Sequence, residues 1–113
     1  MQKKELKEQY KRYKPDMGVF VYLCKATGKA YVGMGQNMKA DMNSITFQLN
    51  VGNFLYNANL QSDWKKHGEA GFERIVAEVL SYDKDETKTD YSEDLLLLRE
   101  LVAERYSEKE YIR

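Results

Sequence analysis

The sequence predicts an α+β fold in which a small three-stranded antiparallel sheet is flanked by helices. Residues 17–35 alternate β-branched and aromatic side chains on either side of a turn at Gly28, which is the pattern of a β-hairpin. Phe72–Leu80 is a third strand-like segment, and its apolar residues on both faces favour a place in the middle of a sheet. The remaining apolar side chains recur at helical spacing, so we expect helices to cover this sheet.

The hairpin is predicted to present most of its aromatic side chains on one face. A two-residue turn ending at Gly28 would place Cys24 opposite Tyr31. Phe20 and Tyr22 then share one face of the strand pair with both of these residues. A longer, bulged loop would change this register.

A basic helix is predicted to precede the hairpin, over residues 1–15. Leu6, Tyr10 and Tyr13 lie on one face of this helix, which leaves its lysines outside. Pro15 ends the helix because proline cannot continue the backbone hydrogen bonds.

A second helix is predicted to follow the hairpin. Asn37 can cap its first turn, and Gly52 ends it. Its apolar face consists of four residues at helical spacing, Met38, Met42, Ile45 and Leu49.

Two further helices complete the prediction. The first covers residues 56–67, ends at Gly68 and has an apolar stripe formed by Tyr56, Leu60 and Trp64. The last covers residues 90–107, where Asp90 and Glu93 resemble a capping box. The chain from 1 to 113 is therefore expected to form a single domain.

Composition limits the classes of function. Eighteen basic and eighteen acidic residues cancel, so no overall positive charge favours strong non-specific binding to nucleic acid. The single cysteine excludes an intrachain disulfide. No apolar run approaches the roughly 20 residues of a membrane span, and no charged-then-apolar leader is present. We therefore expect a cytoplasmic protein without a membrane partner.

Several short motifs of this sequence resemble the GIY-YIG endonuclease superfamily. Their landmarks come in the family's order over roughly three quarters of the chain. The resemblance implies the same α+β fold, with a phosphodiester-cleaving site on the hairpin face. The motifs are Gly18-Val19-Phe20, Tyr31-Val32-Gly33, Asn37, Leu60-Gln61-Ser62-Asp63-Trp64, Gly68 and Phe72.

The resemblance also implies a set of site residues. Enzymes of the superfamily use two hairpin tyrosines, an arginine and often a histidine on the next helix, a metal-binding glutamate and a late asparagine. Tyr31 matches the second tyrosine and Glu100 the glutamate, with Mg²⁺ or Mn²⁺ as the cofactor if the protein is active. Phe20, Asp41 and Ile45 stand in place of the first tyrosine, the arginine and the histidine, and no asparagine follows Glu100.

These substitutions affect the chemistry more than the fold. Phe20 lacks a hydroxyl group, and Asp41 repels a phosphate. We therefore predict a GIY-YIG nuclease-like domain that is catalytically impaired and binds nucleic acid, or another phosphate-rich ligand, weakly. One alternative is a small interaction module that reuses the fold for a protein partner or for self-association. The other is an active divalent-metal-dependent endonuclease with a rearranged site.

Overall fold

The computed structural model describes residues 14–106 and the short strand Tyr111–Ile112. The predicted helix over residues 1–15 lies outside the described residues except for its last two. A short 3₁₀ helix, Glu69–Gly71, precedes the third strand. The elements in chain order are β1 (Met17–Cys24), β2 (Ala30–Gly35), α1 (Met38–Asn50), α2 (Ala58–His67), β3 (Phe72–Leu80), α3 (Ser92–Ala103) and β4 (Tyr111–Ile112).

The strands form one sheet in the order β3-β1-β2-β4. β1 pairs antiparallel with both β2 and β3, which confirms the predicted three-stranded antiparallel sheet. β4 adds a short parallel pairing to the start of β2. The prediction that β3 lies in the middle is wrong, because among the described strands it lies at one end and exposes Val76 and Val79. β1 takes the middle place and is buried along nearly its whole length.

The hairpin adopts a longer loop than the two-residue turn. Tyr22 lies opposite Tyr31, and the backbone N–H of Cys24 donates to the carbonyl oxygen of Lys29 at 2.9 Å. Gly28 lies in this loop with a φ of 75°, a conformation that favours glycine. The register differs from the expected one by two residues, so every side chain keeps its predicted face.

Helices cover both faces of β1. One face packs against α1 and α2 in a core that includes Phe20, Tyr22, Cys24, Leu49, Leu60 and Trp64. The other face packs against α3 in a core that includes Val19, Val21, Val32 and Val102. The central strand therefore joins the two helical layers.

The hydroxyl group of Tyr22 attaches α1 to the sheet. It donates to the carbonyl oxygen of Met42 at 2.8 Å and shares a second hydrogen bond, also 2.8 Å, with Oγ1 of Thr46. Burial raises the pKa of Tyr22, while the Thr46 hydrogen bond opposes this shift. Because this buried hydroxyl group needs both partners, its hydrogen bonds fix the position of α1 relative to β1.

Side chains at the helix starts confirm one predicted cap and change two other details. Oδ1 of Asn37 accepts from the N–H of Ala40 at 3.2 Å, as expected. Asn57 caps α2, so Tyr56 precedes the helix and is 82% exposed rather than part of its apolar stripe. At the start of α3 the Asp90 carboxylate accepts a hydrogen bond from the N–H of Ser92 at 2.9 Å, and the predicted capping box does not form.

Within the described part of the chain, no helix combines the length and apolar character that crossing a membrane requires.

Replacing Tyr22 by phenylalanine should lower the free energy of unfolding by about 1–3 kcal/mol, because two hydrogen bonds with α1 are lost in a buried place. Urea denaturation measures this change. Tyr56→Phe is the matched control, since that hydroxyl belongs to an exposed side chain and its loss should change stability by less than about 0.5 kcal/mol. Equal effects of the two changes would contradict the role of Tyr22.

Candidate functional site

A cleft of about 430 Å³ opens between the hairpin, α1 and the side of α3. It brings together four of the five residues that the sequence analysis singled out, namely Phe20, Tyr31, Asp41 and Ile45. Glu100, the fifth, does not line this cleft, and its neighbour Arg99 does.

Phe20 fills the inner end of the cleft. It lies opposite Gly33 in the strand pair and is 1% exposed. A Cβ atom at Gly33 would lie only 2.5 Å from Cε2 of the ring, so glycine leaves the space that the ring occupies. The nearby hydroxyl of Tyr22 does not replace the missing one, because Met42 and Thr46 already bond it.

Tyr31 is half-buried at the side of the cleft. Its ring meets Phe54 edge to face, with the ring centres 5.6 Å apart. Burial raises the pKa of Tyr31, and the positive charge of Arg99 lowers it in part. The hydroxyl therefore stays protonated near neutral pH, where it can donate a hydrogen bond but is a poor base.

Asp41 projects from the first turn of α1 and is partly buried. Its carboxylate lies so close to Gly35 that a Cβ atom there would collide with Oδ2. Burial raises the pKa of Asp41, because the charged form loses solvation. The α1 side of the cleft thus carries a carboxylate at a position where the family resemblance implies a cation.

Arg99 supplies a cation that the sequence analysis missed. α3 packs on the opposite face of the sheet through Leu98 and Val102, while Arg99 of the same helix lines the cleft. Its Nε is buried and has no hydrogen-bond partner among the described residues. Helical spacing was the signal available, since Arg99 follows buried Leu95 by four residues and precedes buried Val102 by three.

The side chains around the cleft do not fit a divalent metal ion. Mg²⁺ and Mn²⁺ require several oxygen ligands, yet among the described residues Asp41 is the one carboxylate in the lining, and α3 presents a guanidinium group. Throughout residues 14–106 and 111–112, no three His, Cys, Asp or Glu side chains are grouped to hold a metal. The assignment of Glu100 as a metal ligand stays a prediction.

The cleft can therefore bind an anion on one side and repel one on the other. Arg99 and the hydroxyl groups of Tyr31 and Tyr56 are donors in its lining, and Asp41 is an acceptor on α1. Among the described residues, this arrangement offers a phosphate oxygen one cation and two phenol groups.

Replacing Asp41 by asparagine should raise the melting temperature near neutral pH. The folded protein has a raised pKa at Asp41, so the stability gained from the protonated carboxyl is fully present below the ordinary value of 3.8 and is lost as the pH rises through the raised value. Asparagine mimics the protonated form. The gain from Asp41→Asn should therefore vanish as the pH falls, when melting is followed over a pH series.

Asp85→Asn is a control of opposite sign for this measurement. Hydrogen bonds from the Thr87 side chain and backbone lower the pKa of Asp85, so its contribution is present above the ordinary value and lost in acid. This replacement should lower the melting temperature near neutral pH. A gain from Asp41→Asn that persists unchanged in acid would contradict the effect of burial on Asp41.

Comparisons with known proteins identify the fold. No family model matches the sequence, and no curated protein matches it significantly. The structure is similar to that of the catalytic domain of the homing endonuclease I-TevI, with a TM-score of 0.64, 20% identity, and coverage of 82% of this chain and 90% of that chain. It is also similar to a mutant of the catalytic domain of intron endonuclease I-TevI, with a TM-score of 0.56, 22% identity, and coverage of 81% of this chain and 92% of that chain. The chain therefore has a GIY-YIG-like fold.

Proposed function

We propose that this chain is a nuclease-like domain that binds nucleic acid through its phosphate backbone in the cleft and is impaired in cleavage. The supporting observation is the composition of the cleft. Tyr31 and Arg99 can donate hydrogen bonds to a phosphate group, whereas Phe20 and Asp41 are unsuited to hydrolysis. The fold makes a nucleic-acid ligand plausible, because the similar solved domains are described as parts of endonucleases.

Binding would depend on few contacts. An arginine guanidinium group can bond two phosphate oxygens at once, and a tyrosine hydroxyl can donate to a third. The chain has no net charge to attract nucleic acid over a distance. With one or two neutralised phosphates, the logarithm of the affinity for duplex DNA should fall with the logarithm of salt concentration at a slope of only about −1 to −2.

Impaired cleavage follows from the groups that hydrolysis needs. A water molecule must be deprotonated, and the developing charge on the phosphate must be stabilised. Phe20 has no hydroxyl that could orient or deprotonate the water, and burial shifts the pKa of Tyr31 further above its ordinary value. Asp41 places negative charge on the α1 side, and loss of one phosphate-stabilising arginine costs about 10³-fold or more in phosphoryl transfer.

A second candidate function is that of an interaction module. Three large apolar residues near the C-terminal end of α1 are well exposed, namely Phe47 at 66%, Val51 at 58% and Leu55 at 83%. A groove between α1 and α2 lies beside Val51 and Leu55. Exposed apolar patches are typical of surfaces that bind a protein partner or a second copy of the same chain.

Titration with single- and double-stranded DNA and RNA over a range of salt concentrations tests the proposed function. We expect weak binding with a shallow salt dependence, and no cleavage above buffer in Mg²⁺ or Mn²⁺. Tyr31→Phe should weaken binding about 2- to 10-fold, the effect of one lost hydrogen bond. Tyr106→Phe, a partly buried tyrosine outside the cleft, is the control and should leave affinity unchanged.

Two results would overturn the proposal. Absence of binding to all four nucleic acids would contradict the nucleic-acid function, and self-association abolished by Phe47→Ser would then favour the interaction module. Metal-dependent cleavage that Tyr31→Phe or Glu100→Ala abolishes would instead identify an active endonuclease with a rearranged site.

A further inference from the structure

We propose that the cleft is an oxyanion site of inverted polarity, which means that its cation is on α3 instead of α1. Arg99 on α3 binds the phosphate group, and Asp41 keeps it away from α1. This inference rests on the proposed function and adds where in the cleft the phosphate lies and which side chain holds it. The ligand class is a phosphodiester or phosphomonoester, whose oxygens accept hydrogen bonds from a guanidinium group.

The first support is the state of the Arg99 side chain. Arg99 is partly buried and lines the cleft, and among the described residues its guanidinium group forms no hydrogen bond or ion pair. Polar groups in the partly buried parts of folded proteins usually have a partner, so a guanidinium group without one at a cleft indicates a place for an acceptor. A phosphate oxygen in the cleft would reach the exposed part of this group.

The second support is the set of donors around Arg99. Tyr31 and Tyr56 line the same cleft, and although burial raises the pKa of Tyr31, the charge of Arg99 opposes this shift. The electrostatic field of the guanidinium group therefore reaches this hydroxyl. A planar fork of N–H groups beside phenol donors suits a tetrahedral anion with several oxygens.

The third support is that the two charges of the cleft do not neutralise each other. Asp41 forms no ion pair with Arg99, and burial alone accounts for the shift in the pKa of Asp41. Both charges therefore act on a ligand between them. Attraction by Arg99 and repulsion by Asp41 point in the same direction, so the phosphate should lie against α3 and the hairpin.

Affinity measurements on paired variants test this inference with a short single-stranded oligonucleotide. Arg99→Gln should weaken binding about 10-fold or more, because a hydrogen bond to a charged group is lost. Arg99→Lys should recover part of the loss, since lysine keeps the charge and lacks the planar fork. Asp41→Asn should strengthen binding.

Arg105→Gln is the matched control. It removes the same charge two residues after the same helix, at a side chain that pairs with Glu78 at 2.6 Å outside the cleft. Its effect on affinity should be small. A loss equal to that of Arg99→Gln would show a general charge effect and overturn the inference.

A combined variant tests the inverted polarity itself. Adding Asp41→Arg to Arg99→Gln removes the repulsion from α1 and returns a cation to the cleft, so it should restore part of the lost affinity, whereas no recovery would contradict binding of the phosphate within this cleft. If Arg99→Gln does not fold, as judged by its melting curve, the comparison of Arg99→Lys with Arg105→Lys decides the outcome.

Titration with inorganic phosphate separates this inference from the proposed function. Binding that perturbs the NMR signals of Tyr31 and Arg99 would support the site even if no nucleic acid bound. Nucleic-acid binding that is unaffected by every Arg99 variant would leave the proposed function in place and overturn the Arg99 site.

Discussion

The close packing of β1 against its neighbours is the constraint on which the rest of this structure depends. Gly18 lies so near β3 that a Cβ atom there would collide with the carbonyl oxygen of Glu78, and Gly33 leaves room for the ring of Phe20. Because β1 is buried on both faces, α1 and α3 attach to opposite sides of one strand. The cleft lies where side chains from both helices meet at β2.

Different atoms meet the packing requirements of this fold and the requirements of phosphodiester chemistry. The two glycines and the ring of Phe20 satisfy the packing, and none of them contributes a hydroxyl or a charge. A chain can therefore keep the scaffold while its cleft acquires a different pattern of charge, here a carboxylate on α1 and a guanidinium group on α3.

Within the described residues, periodicity predicted the hairpin, β3 and the three helices well, because alternation in the hairpin and helical spacing in α1 reflect burial directly. It did not predict the hairpin register, which the loop between Cys24 and Lys29 sets through backbone hydrogen bonds. Nor did it place β3, since apolar residues on both faces do not decide between the middle and the end of a sheet. The family motif indicated Glu100 as a site residue. The helical spacing between the buried residues Leu95 and Val102 indicates Arg99 instead.

A crystal structure with a short single-stranded oligonucleotide, grown in Mn²⁺, tests the central claim most directly. We expect an intact strand, with one phosphate group bonded by Arg99 and the hydroxyl of Tyr31 and held away from Asp41. A cleaved strand, a metal ion bound by Glu100, or a backbone that crosses the protein outside the cleft would contradict it.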